Sequence, residues 1–267
     1  MGTPLVSVIT PVYNGEKHLK ESLESICLQT FRDFQLIILN DGSVDNTERV
    51  VLGCLRKDSY KYSVTYISCP NNKKIPTRRN ECIIRARGKY IVIHDGDDIS
   101  LPNRLEKQVE FMESNQDVFC VGGHAKKIDL EGQHIGEMNY PPLKHDDIVA
   151  MIKQKNMNPM IDPTTMFKRK DFLTLGGYTL EKAIYTVPDF DLWLRAIQSE
   201  KIFANLDESL IKYRTNPNGM TGKHKQEMIH AHMVTWLRFM SKQLKRPLGS
   251  VEKYHYDCIR KLQENCI

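Results

Sequence analysis

Between residues 5 and 95 the chain alternates short apolar runs with segments of helical apolar spacing, and few folds accept that pattern. The runs are Leu5 to Thr10 (LVSVIT), FQLIIL at 34 to 39, VTYIS at 64 to 68 and YIVIHD at 90 to 95. Between them Leu19, Leu23, Ile26 and Cys27 recur at helical spacing, then Val50, Val51, Cys54 and Leu55, and a further helix is expected around Arg79 to Arg87. Pro11, Asn14 and Gly15 close the first run, and NDGSVDNT at 40 to 47 is a turn. Strands apolar on both faces and alternating with helices predict a parallel α/β sheet over the first 120 residues or so. From about residue 125 the pattern loosens into a hairpin (KKIDLEGQHIGE), a strand (TTMFKR, 164 to 169), a helix near PDFDLWLRAI and a strand at SLIKYR. A helical tail is expected from about Lys223, with Met228, Ile229, Met233, Trp236, Leu237 and Met240 on its apolar side.

A chain of 267 residues with 40% hydrophobic content can bury a full core, as one domain or as one domain with a helical appendage. The net charge of +5 permits a phosphate-bearing ligand or an anionic membrane surface and demands neither; no nucleic-acid partner is expected. Seven scattered cysteines without a CxxC pair indicate neither a zinc knuckle nor a disulfide framework, and fit a reducing cytosol. The first apolar run is too short for a signal core, and no stretch approaches the ~18 apolar residues of a spanning helix. The expectation is a cytoplasmic protein, soluble or peripheral at the membrane's cytoplasmic face.

In parallel sheets ligands sit beyond the carboxyl ends of the strands, and the unusual residues fall there. Tyr13 follows the first strand and Asp41 ends the second, while Asp95, Asp97 and Asp98 crowd behind the fourth. Carboxylates that close repel unless a positive group lies between them. An EF-hand would put Glu106 in position 12, but Ile99, Ser100 and Pro102 then occupy positions that need a ligand, a glycine and a non-proline. One reading is capping of a helix that begins near Pro102. Another is a divalent cation shared with a diphosphate, for which Asp95-Gly96-Asp97 has suitable spacing, with glycine letting phosphates approach the backbone.

The ordered series VSVITPVYNGEKHLKESLESICLQTF, FQLIILNDGSVDNT, RRNECIIRARGKYIVIHDGDDISLPNRLEKQ, GGY, PDFDLWLRA and LIKYR resembles the family 2 glycosyltransferases, inverting enzymes of the GT-A fold that use nucleotide sugars. The resemblance runs through about the first 215 residues. It implies that Pro11 and Tyr13 belong to the nucleotide site, with Tyr13 stacking on the base, and that Asp41 bonds the base edge. Many relatives read Asp-Asp where this chain has Asn40-Asp41, and the base contact falls on the second position. Arg79 would approach the diphosphate or base; its neighbour Arg78 could claim the role, though a solvated helix start suits Arg78 better. Asp97 would ligate Mn2+ or Mg2+, Asp95 would contact the ribose or reach the ion through water, and Asp98 would cap a helix or serve structure.

The same resemblance makes Asp189 the general base, with Pro188 where relatives carry glutamate and Asp191 the runner-up. Asn216 stands near the place of a histidine that reaches the metal in relatives; His224 is the nearest alternative and reads as a solvated loop residue. The implied layout is a GT-A domain over 1–222, divided into a nucleotide-binding half (1–122) and an acceptor-side half (123–222), then a C-terminal helical extension (223–267). The implied reaction moves a sugar from a uridine diphosphate donor onto a carbohydrate hydroxyl, as in surface polysaccharide or glycoconjugate synthesis. A sugar-nucleotide pyrophosphorylase would need a glycine-rich basic loop after the first strand, which Pro11-Val12-Tyr13-Asn14-Gly15-Glu16 is not. A non-catalytic nucleotide or glycan-binding module remains the rival from another class. The tail is expected to pack on the catalytic domain or on a second subunit; the alternative is membrane-surface contact through Lys242, Lys245 and Arg246 beside Trp236 and Phe239.

Overall fold

A computed structural model of the chain describes residues 2–56, 62–217, 219, 222 and 224–244. The first half is the expected alternation: β1 (Val6–Val12), α1 (Leu19–Cys27), β2 (Phe34–Asp41), α2 (Thr47–Leu55), β3 (Ser63–Cys69), α3 (Ile75–Arg85) and β4 (Tyr90–Ile93). These strands are mutually parallel in the order β3-β2-β1-β4. Successive side chains feed opposite cores, which is why each run is largely apolar, with small or polar residues such as Ser7, Thr10 and Gln35 interspersed. Val8, Leu36, Ile38 and Val92 face Leu19, Leu23 and Ile26 of α1. Ile9, Ile37, Leu39 and Ile93 face Cys82 and Ile83 of α3 and, farther across that face, the buried Trp193.

The second half adds β5 (Ile99–Ser100), α4 (Arg104–Ser114), β6 (Val118–Ile128), β7 (His134–Met138), α5 (His145–Lys155), β8 (Met166–Lys168), α6 (Arg169–Thr174), α7 (Pro188–Gln198), β9 (Ile202–Arg214) and α8 (Lys225–Leu244). Strand β8 lies antiparallel between β4 and β6, β9 runs parallel to β6, and the sheet continues to β5, giving the order β3-β2-β1-β4-β8-β6-β9-β5 with β7 paired to β6. The predicted hairpin is β6–β7, with Lys126 opposite Glu137.

Several boundaries differ from the sequence reading. Pro11 does not close the first strand: β1 runs on to Val12, with Pro11 opposite Leu39. Its missing N–H is tolerated because the β4 pairing on that side ends at Ile9–Ile93. The stretch read as one strand from 164 to 169 divides into a 3-10 turn, Asp162–Thr164, a three-residue strand and the start of α6. SLIKYR is only the end of a 13-residue strand.

Helix α8 docks. Ala231, Trp236, Leu237 and Phe239 share a buried cluster with Ile152 of α5 and with Phe190 and Leu194 of α7. Ile229, expected on that apolar side, is instead 58% exposed. Trp236 and Phe239 are buried, so they are not offered to a membrane surface; Lys245 and Arg246 lie outside the described residues, as do Cys258 and Cys266. Among the described residues no helix is long and apolar enough to cross a membrane.

Candidate active site

The loops that leave β1 and β2 are bonded to each other. Asn14, at φ 51°, receives a bond from the Val44 N–H (3.0 Å) and gives its own N–H to Ser43 Oγ (2.9 Å). The Gly15 N–H bonds Thr47 Oγ1 at 2.7 Å, and Glu16 Oε2 accepts from the Asn46 N–H at 2.9 Å. Tyr13, directly before this lattice, is 49% exposed, so its ring is available for stacking. In the turn after β2, Gly42 has φ +70°, and a Cβ there would meet the Asn71 backbone at 2.8 Å.

Asp41 is deeply buried. Its carboxylate accepts the N–H groups of Lys73 (2.8 Å) and Lys74 (3.0 Å) and the Nε–H of Arg78 (2.5 Å). Arg78 also donates to Glu81 (2.7 Å) and to the Asn71 carbonyl (2.5 Å). Arg78 is therefore a buried clamp, not the solvated helix-start residue its position suggested. Asp41 fixes the loop before α3, and three of its roughly four lone-pair positions are taken.

Arg79, on the next position of α3, points the other way. Its guanidinium donates from Nη2 to Asp95 (3.0 Å) and from Nη1 to Asp162, and lies 5.7 Å from the Tyr178 ring centroid. Asp162, in the 3-10 turn before β8, was not anticipated from the sequence. Burial pushes its carboxyl up to about 7 against the pull of Arg79, and the charges of Asp189 and Asp95 add to the rise. One guanidinium thus serves two carboxylates while a third is felt nearby. Arg79 Nε and Asp162 Oδ1 are buried with no hydrogen-bond partner among the described residues.

Asp97 sits beside Asp95. Burial and the Asp95 charge push it up to about 6, opposed by its own backbone N–H and by Arg214. Asp98 does not cap α4, whose N-cap is Asn103; its Oδ1 accepts the backbone N–H of Arg214 at 2.8 Å, and Oδ2 is buried with no hydrogen-bond partner among the described residues. The Arg214 side chain donates to the carbonyls of Asp97 (2.9 Å), Asp129 (3.0 Å) and Leu130 (3.0 Å) and to Glu21 (2.7 Å). A Cβ on Gly96 would press on the side chains of Val12 in β1 and Leu19 in α1 at 3.3 Å, so the loop also packs closely at this glycine.

Below the loop, buried Arg104 donates to Ser100 Oγ (3.0 Å), which frees the Ser100 hydroxyl hydrogen for His94 Nδ1 (3.2 Å). His94 Nε2–H then meets Ser22 Oγ (2.8 Å), and Ser22 donates to the Asp95 carbonyl (3.2 Å). Burial first, and the Arg104 charge second, lower His94 to about 3, consistent with the neutral tautomer this relay assigns. The acidic loop thus has an oxygen-only set with unbalanced negative charge, a donor set that suits a hard divalent cation completing its shell elsewhere. Among the described residues no group of three His, Cys, Asp or Glu is arranged to hold an ion unaided.

Asp189 opens the first turn of α7, where negative charge is favoured, and its Oδ2 accepts the amide of Asn158 at 2.7 Å. Its charge adds to the upward push that burial exerts on Asp162 and Tyr140, so it lies within electrostatic reach of both. Asp191 instead holds Arg195 (2.8 Å), which braces the carbonyls of Leu175 (2.6 Å) and Gly177 (2.7 Å). His224 pairs with exposed Glu227 at 2.8 Å, and Asn216 follows the end of β9.

A mixed twisted sheet between helices, with carboxylates and an arginine gathered where the parallel strands end, defines the GT-A class of nucleotide-sugar transferases. The sequence profile described as Glycosyl transferase family 2 matches residues 7–176, and the chain belongs to that family. An uncharacterized glycosyltransferase of Methanocaldococcus jannaschii is 32% identical over 235 residues, 87% of this chain and 78% of that protein. The O-antigen biosynthesis glycosyltransferase WbnJ of Escherichia coli is 32% identical over 220 residues, 79% of each chain. Among solved structures, S. aureus TarS in complex with UDP-GlcNAc superposes with TM-score 0.65 at 16% identity over 88% of this chain. The mannosyltransferase PcManGT of Pyrobaculum calidifontis, in complex with GDP-Man and Mn2+, gives 0.66 at 16% over 92%. The chain covers 66% of each of these two structures, and the likeness carries the fold alone.

Proposed function

We propose that the protein is a metal-dependent inverting glycosyltransferase that moves a sugar from a nucleoside diphosphate, a UDP-sugar in the first instance, onto a carbohydrate hydroxyl. The observation that supports this most is the charged series from Asp97 and Asp95 through Arg79 and Asp162 toward Asp189, with metal-compatible carboxylates at one end and a candidate base at the other. Asp97, with Asp95 beside it, would hold Mn2+ or Mg2+, and the ion when bound would offset the charge that develops on the departing diphosphate. Tyr13 would stack on the base.

On the opposite side Asp189 would take the proton of the attacking hydroxyl. Asn158 occupies its Oδ2 and leaves Oδ1 as the accepting atom. General-base catalysis of this kind contributes about 10²–10⁴-fold. A single displacement without a covalent intermediate inverts the anomeric carbon. The name of the Escherichia coli relative supports an acceptor in surface polysaccharide synthesis.

The reading is tested by titrating UDP and GDP into the protein with Mn2+ and with chelator. UDP should bind at least about tenfold more tightly with the metal, a difference of about 1.4 kcal/mol. Asp97→Ala should abolish that increment. Equal affinity with and without metal overturns the shared-ion site, and a preference for GDP overturns the donor.

A further inference from the structure

The C-terminal helix stacks against the very segment that carries the candidate base. His232 of α8 lies on the Phe190 ring with centroids 3.8 Å apart and planes 10° from parallel, and Phe190 is the residue after Asp189. The other side of the same imidazole bonds, through Nε2 at 3.0 Å, the carbonyl of Asn156. Trp236, one turn on, donates its indole N–H to the Ile152 carbonyl at 2.9 Å, in the last turn of α5. Both bonds hold the C-terminal end of α5, where Asn156 adopts the left-handed conformation at φ 50° and turns the chain toward Asn158.

Asn158 has its amide orientation fixed. Its Oδ1 accepts the Met160 N–H at 3.2 Å, so its Nδ2 points to Asp189 Oδ2 at 2.7 Å. A carboxylate on the first turn of a helix can rotate about χ1 and χ2; among the described residues this one is held by one side-chain bond, and that bond comes from a loop pinned by α8. We infer that α8 is part of the transfer machinery: His232, acting through the Asn156 carbonyl and the Asn158 amide, is a positioning residue that sets the orientation of Asp189. The inference rests on the reading of Asp189 as base and goes beyond it, because it gives a helix remote in sequence a role in the proton-transfer step. The acceptor hydroxyl must then approach Asp189 from its Oδ1 side.

The test is a double-mutant cycle on the full chain with UDP-sugar donor and Mn2+. Asn158→Leu, which keeps volume and removes the N–H, should lower kcat by roughly tenfold while the UDP dissociation constant stays within about twofold. His232→Phe, which keeps the stack and removes the bond, should lower kcat by about threefold to tenfold, and His232→Gln, which restores a donor, should recover part of the loss. In the Asn158→Leu background His232→Phe should cost almost nothing further, because its path to Asp189 is already cut. Independent, multiplicative losses, a kcat that follows melting temperature alone, or weakened UDP binding in step with kcat would overturn the inference. If His232→Phe does not fold, an unchanged kcat in Asn158→Leu still overturns it. Asp189→Asn is run in parallel: transfer surviving there removes the base and the inference together, whereas a dead Asp189→Asn beside a fully active Asn158→Leu removes the inference alone.

Discussion

At the residue scale, two neighbouring aspartates on α7 differ in what they hold. Asp189 receives the Asn158 amide, while Asp191 is tied to Arg195 and through it to the turn at Gly177. Asp189→Asn should keep nucleotide and metal affinity near wild type and lower transfer by at least about 10²-fold. Asp191→Asn should lower the melting temperature and leave transfer in the folded fraction largely intact. Transfer lost only in a well-folded Asp191→Asn would move the base two positions along. The acidic-loop aspartates and Tyr13 were conspicuous in the sequence because residue type and spacing are local signals. Asp162 and Asn158 were not, because their importance comes from partners 83 and 31 positions away. The Asp162-Pro163 pair ahead of a strand was the one local hint, and it reads equally well as a turn.

His94 gives a residue-scale pH signature. Its folded value, about 3, lies below the roughly 6.5 of an unfolded histidine, so the unfolded chain takes up the proton first as pH falls. Its contribution is present above about pH 6.5 and is lost toward pH 3, at up to about 1.4 kcal/mol per pH unit. Asp162 and Asp97, raised to about 7 and about 6, act in the opposite sense: the folded state holds their protons, and their stabilisation is lost as pH rises through those values. Urea unfolding of wild type and His94→Asn in chelator cancels the two aspartates between the proteins. Between about pH 6 and pH 5 wild type should lose roughly 1 kcal/mol per pH unit more than the variant. Parallel slopes would show that His94 takes up its proton while folded.

At the element scale, the strands and helices of the first half were legible because each run must be apolar on both faces. The second half was harder to read, since β8 has three residues, β5 has two, and both are defined by pairing with distant strands. Helix α8 was legible as a helix, but its dock was not, because the cluster that receives it is assembled from α5, α7 and the segment between 184 and 187. Trp236→Ala should cost about 3–5 kcal/mol, as buried aromatic truncations do. Asp41→Ala should cost a similar 3–5 kcal/mol, by leaving buried Arg78 without its partner and releasing the loop at Lys73 and Lys74. Chemical denaturation measures both. A loss below about 1 kcal/mol at Asp41 would mean that Glu81 alone satisfies the guanidinium.

At the scale of the whole molecule, the site is assembled from loops far apart in sequence that meet where the parallel strands end, and among the described residues β9 is the last strand to join them. Arg214, its final residue, bonds α1, the acidic loop and the β6–β7 turn at once. Arg214→Ala should therefore cost about 3 kcal/mol or more, because several carbonyls lose their donor, and should weaken metal-dependent UDP binding as well. The bond from Arg214 to the Asp97 carbonyl spans 117 positions. A ribosome that has made the whole nucleotide-facing half has therefore still not supplied the group that sets its acidic loop. Nascent chains arrested before residue 214 should not retain metal-dependent UDP binding, so on the proposed function a growing chain should stay inert toward nucleotide sugars until β9 has been made.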